Sequence, residues 1–214
     1  MNRRGDGTRS DTCTAEVEHR LWASGYRRIA GVDEVGRGAL AGPLVAAAVI
    51  LDPNRIPQGI DDSKKLTAGK RERLAVAIRD TALAIGVASV EPREIDRLNV
   101  GQATRLAMRW AIERLHPPPD YLLIDALQLD RVAIPQQGII HGDRLCVSIA
   151  AASIIAKVTR DDLMRAYDRT YPGYGFARNV GYGTEEHRRA LSRLGPSAIH
   201  RLSFRGVGPD LFTR

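Results

Sequence analysis

Four acidic residues lie at the end of an apolar segment or just after one, a placement typical of metal-binding clefts. They are Asp33, Glu34, Asp125 and Asp143. Acids at the ends of strands commonly meet in functional clefts of α/β folds, and four carboxylates in one cleft cannot all stay ionised without cations. Oxygen ligands with no His or Cys cluster favour Mg²⁺ or Mn²⁺ over Zn²⁺. We therefore predict two divalent cations of the kind that activates water in phosphodiester cleavage.

The first two acids lie in the sequence GVDEVGRG, residues 31–38. The apolar residues at its start predict a buried strand, in which consecutive side chains point to opposite faces. Asp33 and Glu34 can serve one site only if the strand ends or bulges there, and Gly36 supplies that freedom. The alternative is a strand end that carries a surface acid pair and a turn. Asp125, taken alone, is more typical of a cap at the entry to a loop.

Other residues have the types expected of a phosphate or nucleic-acid contact. Gly36 and Gly38 let backbone N–H groups approach a ligand, and Arg37 can grip a phosphate with its planar guanidinium. Residues 171–184, YPGYGFARNVGYGT, include Tyr182 among several aromatic side chains. Such a loop can stack on bases or sugars, or it can pack on itself as an Ω-loop.

Length and charge limit the class of protein. At 214 residues and 23.5 kDa, the chain predicts one main domain with at most a small appendage. A net charge of +7 and a pI near 9.8 favour an anionic partner such as nucleic acid, although solubility alone also explains them. Lys64 and Lys65, in the loop segment IDDSKKL, either contact that partner or are simply solvated.

Cysteine content and apolar runs indicate a cytoplasmic protein. Cys13 and Cys146 are too few and too far apart for a disulfide framework, which fits a reducing cytoplasm. The opening residues carry charge without an apolar core, so they are not a secretory signal. The longest apolar run is interrupted by Gly42 and Pro43, so no membrane association is expected. With no extended apolar surface pattern, we expect a monomer.

Hydrophobic periodicity and capping residues predict alternating strands and helices, with Thr67 and Asn99 as caps at the starts of two helices. The predicted strands cover residues 29–35, 43–51, 83–90 and 121–126, and the predicted helices cover residues 67–81, 100–115, 147–167 and 184–194. The first two strands are expected to pair as an antiparallel hairpin. Leu106, Trp110 and Ile112 are candidates for the buried face of the second helix.

The long helix predicted for residues 147–167 has two different halves. Its first half is nearly all apolar or small, so it should pack on several sides. In its second half, Asp161 and Asp162 lie beside Arg160 and Arg165. That pattern favours ion pairs along the helix surface over metal binding.

Three well-known catalytic or nucleotide-binding motifs are missing from the sequence. It has no G-x-S-x-G elbow of a serine hydrolase, no Walker A loop, and no Rossmann G-x-G-x-x-G after a strand. These classes are therefore excluded, and a metal-dependent nuclease or a non-catalytic nucleic-acid-binding module remains.

The motifs together resemble the bacterial type 2 ribonucleases H, the ribonuclease HII family. The matching stretches are DEVGRGALAGPL (residues 33–44), DDSKKL (61–66), LID (123–125), GD (142–143), SIAAASIIAKVTRD (148–161), YPGYGFARNVGYGT (171–184) and HRLSF (200–204). The resemblance implies an RNase H-like α/β fold, a mixed β-sheet flanked by helices, with a small helical C-terminal part. The regions it implies are a polar tail with a short helix (1–27), a catalytic core (28–170), and an aromatic loop with a substrate-binding helical part (171–214).

The resemblance also implies an activity and a set of site residues. The activity is endonucleolytic hydrolysis 5′ to a ribonucleotide, in RNA/DNA hybrids or in duplex DNA, by two Mn²⁺ or Mg²⁺ ions. The reaction leaves 5′-phosphate and 3′-hydroxyl ends. Its role is the removal of ribonucleotides during DNA replication and repair. Whether a replication clamp or a polymerase binds the enzyme is left open. By this resemblance, the catalytic metal ligands are Asp33, Glu34, Asp125 and Asp143. Gly36, Arg37 and Gly38 match residues that contact the ribose 2′-hydroxyl and its phosphate, and Tyr182 matches the residue that senses this hydroxyl. Lys64 and Lys65 match contacts to the backbone phosphates.

A few positions separate this chain from relatives. The related type 3 enzymes usually have Ser or Thr in place of Arg37, and they have an additional N-terminal domain. Fewer than about thirty residues precede the first predicted strand here, which are too few for such a domain. Ala126 replaces a common glycine, and His141 replaces a frequent lysine. Val180 also stands where a lysine is usual, which predicts a weaker phosphate contact near Tyr182.

Overall fold

A five-stranded mixed sheet forms the centre of the molecule, for which the computed structural model describes residues 13–208. The strands are β1 (Ile29–Val35), β2 (Leu44–Ile50), β3 (Ala84–Val90), β4 (Tyr121–Asp125) and β5 (Gln136–Ile139). Their order across the sheet is β3-β2-β1-β4-β5. β2 is antiparallel to β1 and β3, whereas β4 is parallel to β1 and β5 is parallel to β4. The predicted fold class and the antiparallel pairing of the first two strands are confirmed.

Helices cover both faces of the sheet. They are α1 (Glu16–Ala23), α2 (Ala68–Thr81), α3 (Pro92–Leu98), α4 (Val100–Glu113), α5 (Gly142–Leu145), α6 (Val147–Thr170), α7 (Phe176–Asn179) and α8 (Glu185–Leu194). The side chains of Thr67, Asn99 and Thr184 accept hydrogen bonds from backbone N–H groups at the starts of α2, α4 and α8. Thr67 and Asn99 were predicted as caps, whereas Thr184 was predicted as the first residue of its helix. The first residues of the predicted polar tail, 1–12, lie outside the described part of the chain.

The sheet is packed between α4 on one face and α6 on the other. All positions of β2 are buried, because its alternate side chains enter one core or the other. On α4, Ile112 is buried as predicted and Leu106 packs at the edge of the core. Trp110 was predicted to be buried and is 37% exposed, because it lies toward the outer side of this helix.

α6 approaches β1 closely because both elements carry small residues at their contact. A Cβ atom on Gly31 would lie 2.0 Å from the carbonyl carbon of Ser148. Ala150, Ala151 and Ala152 follow on α6 and are fully buried. This small-residue contact sets α6 directly behind the strand that carries the first two acids.

Replacing Gly31 by alanine is expected to destabilise the fold by about 1–3 kcal/mol, because the new methyl group meets helix backbone that has no room to move. Urea denaturation of the two proteins measures the difference. Gly69→Ala is the matched control, since its Cβ would meet only the end of Arg73, at 3.9 Å. Equal stability of wild type and Gly31→Ala would show that α6 can move away from β1 at no cost.

Residues after α6 pack onto the loop between β1 and β2. A third core cluster joins Leu40 and Ala41 of this loop to Met164, Phe176 and Leu191. In the aromatic loop, the rings of Tyr174 and Phe176 are stacked and buried, as expected for an Ω-loop that packs on its own side chains. Tyr182 is half-buried instead. The predicted division of the chain at residue 171 stays a prediction.

No helix in the described part, residues 13–208, combines the length and apolarity needed to cross a membrane.

Candidate active site

The ends of β1 and β4 bring two of the predicted acids together because these strands are parallel neighbours. Val32 pairs with Ile124, so Asp33 and Asp125 follow at the same level of the sheet. Beyond β5 the chain enters α5, where the backbone N–H of Gly142 donates to Asp125 Oδ1 at 2.8 Å. Neighbouring strand ends and one helix start therefore build a common edge.

The remaining two acids lie at the same edge. Asp143 follows Gly142, is buried, and is close enough to raise the pKa of Asp125. Glu34 lines the same pocket as Asp33, although consecutive strand residues point apart. β1 ends at Val35, and Gly36 has a φ of 92°, which turns the chain where the sequence predicts it.

One pocket contains most of the residues that the sequence singled out. It has a volume of about 420 Å³ and is lined by Asp33, Glu34, Val35, Gly36, Arg37, Gly38, Ser63, Lys64, Asp125, Ser153, Lys157 and Tyr182. Asp143 is in contact with the lining residue Lys64. Lys65 is exposed on the same loop, with its ammonium 3.9 Å from Asp61 Oδ1.

Burial and mutual repulsion make the carboxyl groups hard to ionise. The pKa of Asp33 is raised well above its usual value, first by burial and then by Glu34 and Asp125. Burial also raises the pKa of Glu34, against the opposing effect of Arg37, whose Nη1 lies 3.5 Å from Glu34 Oε1. The pKa of Asp125 is raised mainly by burial, with Asp143 contributing. The site is thus short of positive charge.

Lys64 supplies part of that charge. Its ammonium lies 2.7 Å from Asp143 Oδ2 and 3.8 Å from the buried Asp62. Burial disfavours the charged lysine, but its bond to Asp143 and the nearby acids outweigh this and raise its pKa. Lys64 therefore faces the carboxylates as well as the open side of the pocket.

The donor set fits hard divalent cations. Across residues 13–208, no three Asp, Glu, His or Cys side chains are already grouped tightly enough to enclose an ion. The four acids nevertheless offer only oxygen donors, the kind that Mg²⁺ and Mn²⁺ prefer. Burial, and then neighbouring acids, raise the pKa values of Asp33, Glu34 and Asp125, so a bound cation would favour their ionised forms.

Three polar residues that line the pocket, Ser63, Ser153 and Lys157, were not predicted from the sequence. Ser153 bonds to the carboxylate of Asp33, and its Oγ lies 3.0 Å from Ser63 Oγ, so the DDSKKL loop is tied to the first acid. Lys157 lines the pocket with its Nζ 2.6 Å from Asp161. Ser153 is one of two hydroxyl residues, with Ser148, in the small and apolar half of α6, and Lys157 had no distinguishing pattern.

The ion pairs predicted for the second half of α6 form at both acids, but Arg160 takes no part in them. Asp161 pairs with Lys157 and Asp162 with Arg165, whereas Arg160 is completely buried. Its guanidinium donates to the carbonyl oxygens of Pro43 at 2.9 Å, Val180 at 2.8 Å and Ala41 at 3.1 Å. Arg160 points inward because these carbonyls, at a loop and a helix end, have no strand or helix partner.

A second buried arginine completes this arrangement. Arg201 donates from Nη1 to the carbonyl of Arg37 at 2.9 Å, and from Nε and Nη2 to that of Gly42 at 3.1 and 2.9 Å. The carbonyl of Gly181 accepts from the N–H of Leu40 at 2.8 Å. The Gly36-Arg37-Gly38 turn and Tyr182 are thus held in one hydrogen-bonded unit.

Comparison with known proteins identifies the family. The family model described as ribonuclease HII matches residues 30–207. A ribonuclease HII from Desulfitobacterium hafniense is 57% identical over 194 residues, covering 91% of this chain and 75% of that protein. The structure of ribonuclease H2 from Pyrococcus horikoshii superposes with a TM-score of 0.75 at 27% identity, covering 85% of this chain and 95% of that one. The RNase HII in a PCNA complex from Archaeoglobus fulgidus has a TM-score of 0.67 at 28% identity, with coverage of 78% and 88%.

The sequence identity and the shared fold both point to one family. The chain belongs to the ribonuclease HII family and is a type 2 ribonuclease H, an endonuclease of the hydrolase class that acts on RNA paired with DNA.

Proposed function

We propose that this enzyme hydrolyses the phosphodiester on the 5′ side of a ribonucleotide, in RNA/DNA hybrids and at single ribonucleotides in duplex DNA, leaving 5′-phosphate and 3′-hydroxyl ends. The observation that carries the proposal is the shared pocket. Asp33, Glu34 and Asp125 line it together with Arg37 and Tyr182. Their common position supports a site in which the residues proposed to recognise the ribose lie beside those proposed to cut the chain.

The four acids are proposed as the ligands of two Mn²⁺ or Mg²⁺ ions. When bound, such ions supply an activated water and stabilise charge on the leaving oxygen. The protein contributes fixed orientation. The backbone N–H of Glu34, at 2.8 Å, and the hydroxyl of Ser153 hold the carboxylate of Asp33, and the N–H of Gly142 holds that of Asp125. Preoriented ligands of this kind lose little freedom when the reaction begins.

Recognition of the ribose is proposed for the Gly36-Arg37-Gly38 turn and Tyr182. The 2′-hydroxyl is the group that distinguishes RNA from DNA at a given position. Gly38 leaves the backbone open, since an added Cβ would meet no atom within 4 Å. Arg37 is exposed and can reach a phosphate beside that hydroxyl.

Basic residues beside the pocket are proposed to hold the nucleic-acid backbone. Lys64 and Lys157 line the pocket and Lys65 lies on the adjoining surface. Each phosphate neutralised by such a side chain releases counterions, so binding should weaken as salt rises. Ribonucleotide removal in replication and repair is the process that this chemistry would serve.

The test is incubation with a DNA duplex that contains one ribonucleotide, with Mg²⁺ or Mn²⁺ or with a chelator. A single nick 5′ to the ribonucleotide, dependent on the metal, is expected. Uncut substrate at stoichiometric enzyme would reject the proposal, and binding without cleavage would favour a non-catalytic module. Cleavage of branched DNA that lacks ribose would indicate a junction resolvase instead.

Replacing Tyr182 by alanine is expected to lower the turnover number by about 10–100-fold while changing substrate affinity much less, because the reacting nucleotide loses its positioning contact. Steady-state kinetics on the one-ribonucleotide duplex separate the two quantities. Tyr182→Phe, which keeps the ring but not the hydroxyl, separates stacking from hydrogen bonding. Wild-type kinetics in the alanine variant would remove Tyr182 from the sensing role.

Contact with a replication clamp is a further proposal, supported by the Archaeoglobus RNase HII found in complex with PCNA. Co-purification with a bacterial clamp would test it.

The monomeric state and the cytoplasmic location stay predictions from the sequence. Size-exclusion chromatography with light scattering would test the monomeric state.

A further inference from the structure

Two histidines form a buried pair behind Tyr182. His187 on α8 is fully buried and His200 is 3% exposed. Their Nε2 atoms lie 3.1 Å apart, a hydrogen-bond distance. The pair is enclosed by the rings of Phe176 and Tyr174, both of which contact the two histidines.

The neighbours of the pair determine where its protons lie. The Nδ1 of His187 is 2.9 Å from the carbonyl oxygen of Tyr182, which can only accept, so this nitrogen carries a proton. The backbone N–H of Ser197 donates to Nδ1 of His200 at 2.9 Å, so that nitrogen carries none. A neutral His200 then has its proton on Nε2 and donates it to Nε2 of His187.

The result is one chain of hydrogen bonds that runs in a single direction. It leads from the N–H of Ser197 through His200 and His187 to the carbonyl of Tyr182. Both imidazoles must be neutral, because an added proton would leave two N–H donors facing each other with no acceptor between them. Burial agrees with this, because it lowers the pKa of His187 and lowers that of His200 to about 4.

The backbone just before Tyr182 needs such support. Val180 has a φ of 43°, which is a strained conformation for a β-branched residue. Gly181 follows with a φ of 82°, so the chain makes two left-handed steps before the tyrosine. The carbonyl of Val180 is held by Arg160 and that of Gly181 by Leu40. The carbonyl of Tyr182 accepts from the N–H of Thr184 and from His187.

We propose that His187 and His200 are positioning residues that fix Tyr182 for reading the ribose. This inference rests on the proposed function of Tyr182 and extends it to two residues that have no access to substrate. The histidine chain acts on the rate of the reacting complex and not on the strength of nucleic-acid binding, because neither imidazole lines the pocket.

The test compares His187→Phe with His187→Gln on the one-ribonucleotide duplex. Phenylalanine keeps the ring packing but removes both hydrogen bonds, and we expect the turnover number to fall by about 10–100-fold with KM changed by less than about twofold. Glutamine can accept from His200 and donate to Tyr182, so it should restore turnover to within about threefold of wild type.

A double-mutant cycle with Tyr182→Ala tests whether the effect passes through the tyrosine. In the Tyr182→Ala background, His187→Phe is expected to lower turnover by less than about threefold, since the group that it positions is gone. If His187→Phe does not fold by circular dichroism, His200→Leu takes its place in the same cycle. Additive effects, a glutamine variant as slow as the phenylalanine variant, or a change confined to KM would overturn the inference. An inactive wild type would instead reject the proposed function itself.

Discussion

Replacing Asp33 by asparagine is expected to lower the cleavage rate by about 10³-fold or more, while raising the thermal stability of the metal-free protein. The loss of rate follows from removing a buried carboxylate that we propose as a cation ligand. The gain in stability follows because the ionised Asp33 is buried among other acids that raise its pKa. Asparagine keeps an oxygen that accepts the N–H of Glu34, so the local hydrogen bonding survives.

The sign of the pH dependence distinguishes this explanation from a general effect of mutation. A carboxyl group whose pKa is raised in the folded state costs stability at pH values above that pKa. The cost shrinks as pH falls through the raised pKa and is gone below the pKa of the unfolded state. The melting temperature of Asp33→Asn should therefore exceed that of wild type most at neutral and higher pH, with the gap closing on acidification. Calorimetry of wild type and Asp33→Asn in the presence of a chelator measures the two melting temperatures at each pH.

Two controls make the Asp33 result specific. Asp80→Asn, at an exposed position of α2, should change neither the melting temperature nor the cleavage rate appreciably. Saturating Mn²⁺ should stabilise wild type more than Asp33→Asn, because only wild type keeps the complete ligand set. An asparagine variant that melts below wild type at neutral pH would show that the Asp33 charge is compensated without any metal.

Replacing Arg160 by alanine is expected to destabilise the protein by about 3 kcal/mol or more and to reduce cleavage even in the folded fraction. Three backbone carbonyls, those of Ala41, Pro43 and Val180, would lose their donor. Space would open beside Gly36, where an added Cβ would lie 2.3 Å from Nε of the arginine. Chemical denaturation measures the first effect, and activity per folded molecule measures the second.

Neighbouring positions supply the controls for Arg160. Arg165→Ala, on the same helix, removes an exposed arginine paired with Glu72 and Asp162, and should cost less than about 1 kcal/mol. Arg160→Lys keeps the charge but not the fork of donors, so an intermediate loss is expected. If Arg160→Ala and Arg165→Ala are equally stable, the inward hydrogen bonds of Arg160 contribute nothing measurable to folding.

The features that the sequence predicted well depend on local pattern. Thr67 and Asn99 cap the helices that they were expected to cap. The convergence of Asp33 and Asp125 could be predicted because each ends an apolar run, and parallel strands that are neighbours in a sheet end at one edge. Periodicity and strand ends are properties of short stretches, so a single sequence displays them.

The features that could not be predicted depend on partners far apart in the chain. Arg160 follows an apolar half-helix and precedes two acids, so its neighbours indicate a surface position. Its burial is decided by carbonyls at residues 41, 43 and 180, and nothing in the local pattern identifies them. The same holds for His187 and His200, whose contact requires α8 and the segment after it to be placed first.

The pairing of residues 36–43 with the segment around His200 also affects how the enzyme can be made. Ala41 bridges to His200, and the N–H of Arg201 donates to the carbonyl of Leu40. These partners are about 160 residues apart in order of synthesis, a separation that makes the closing contact slow to form. The contacts of Arg201 with the turn at residues 36–38 and with Leu40 can therefore form only after residue 201 has emerged from the ribosome exit tunnel.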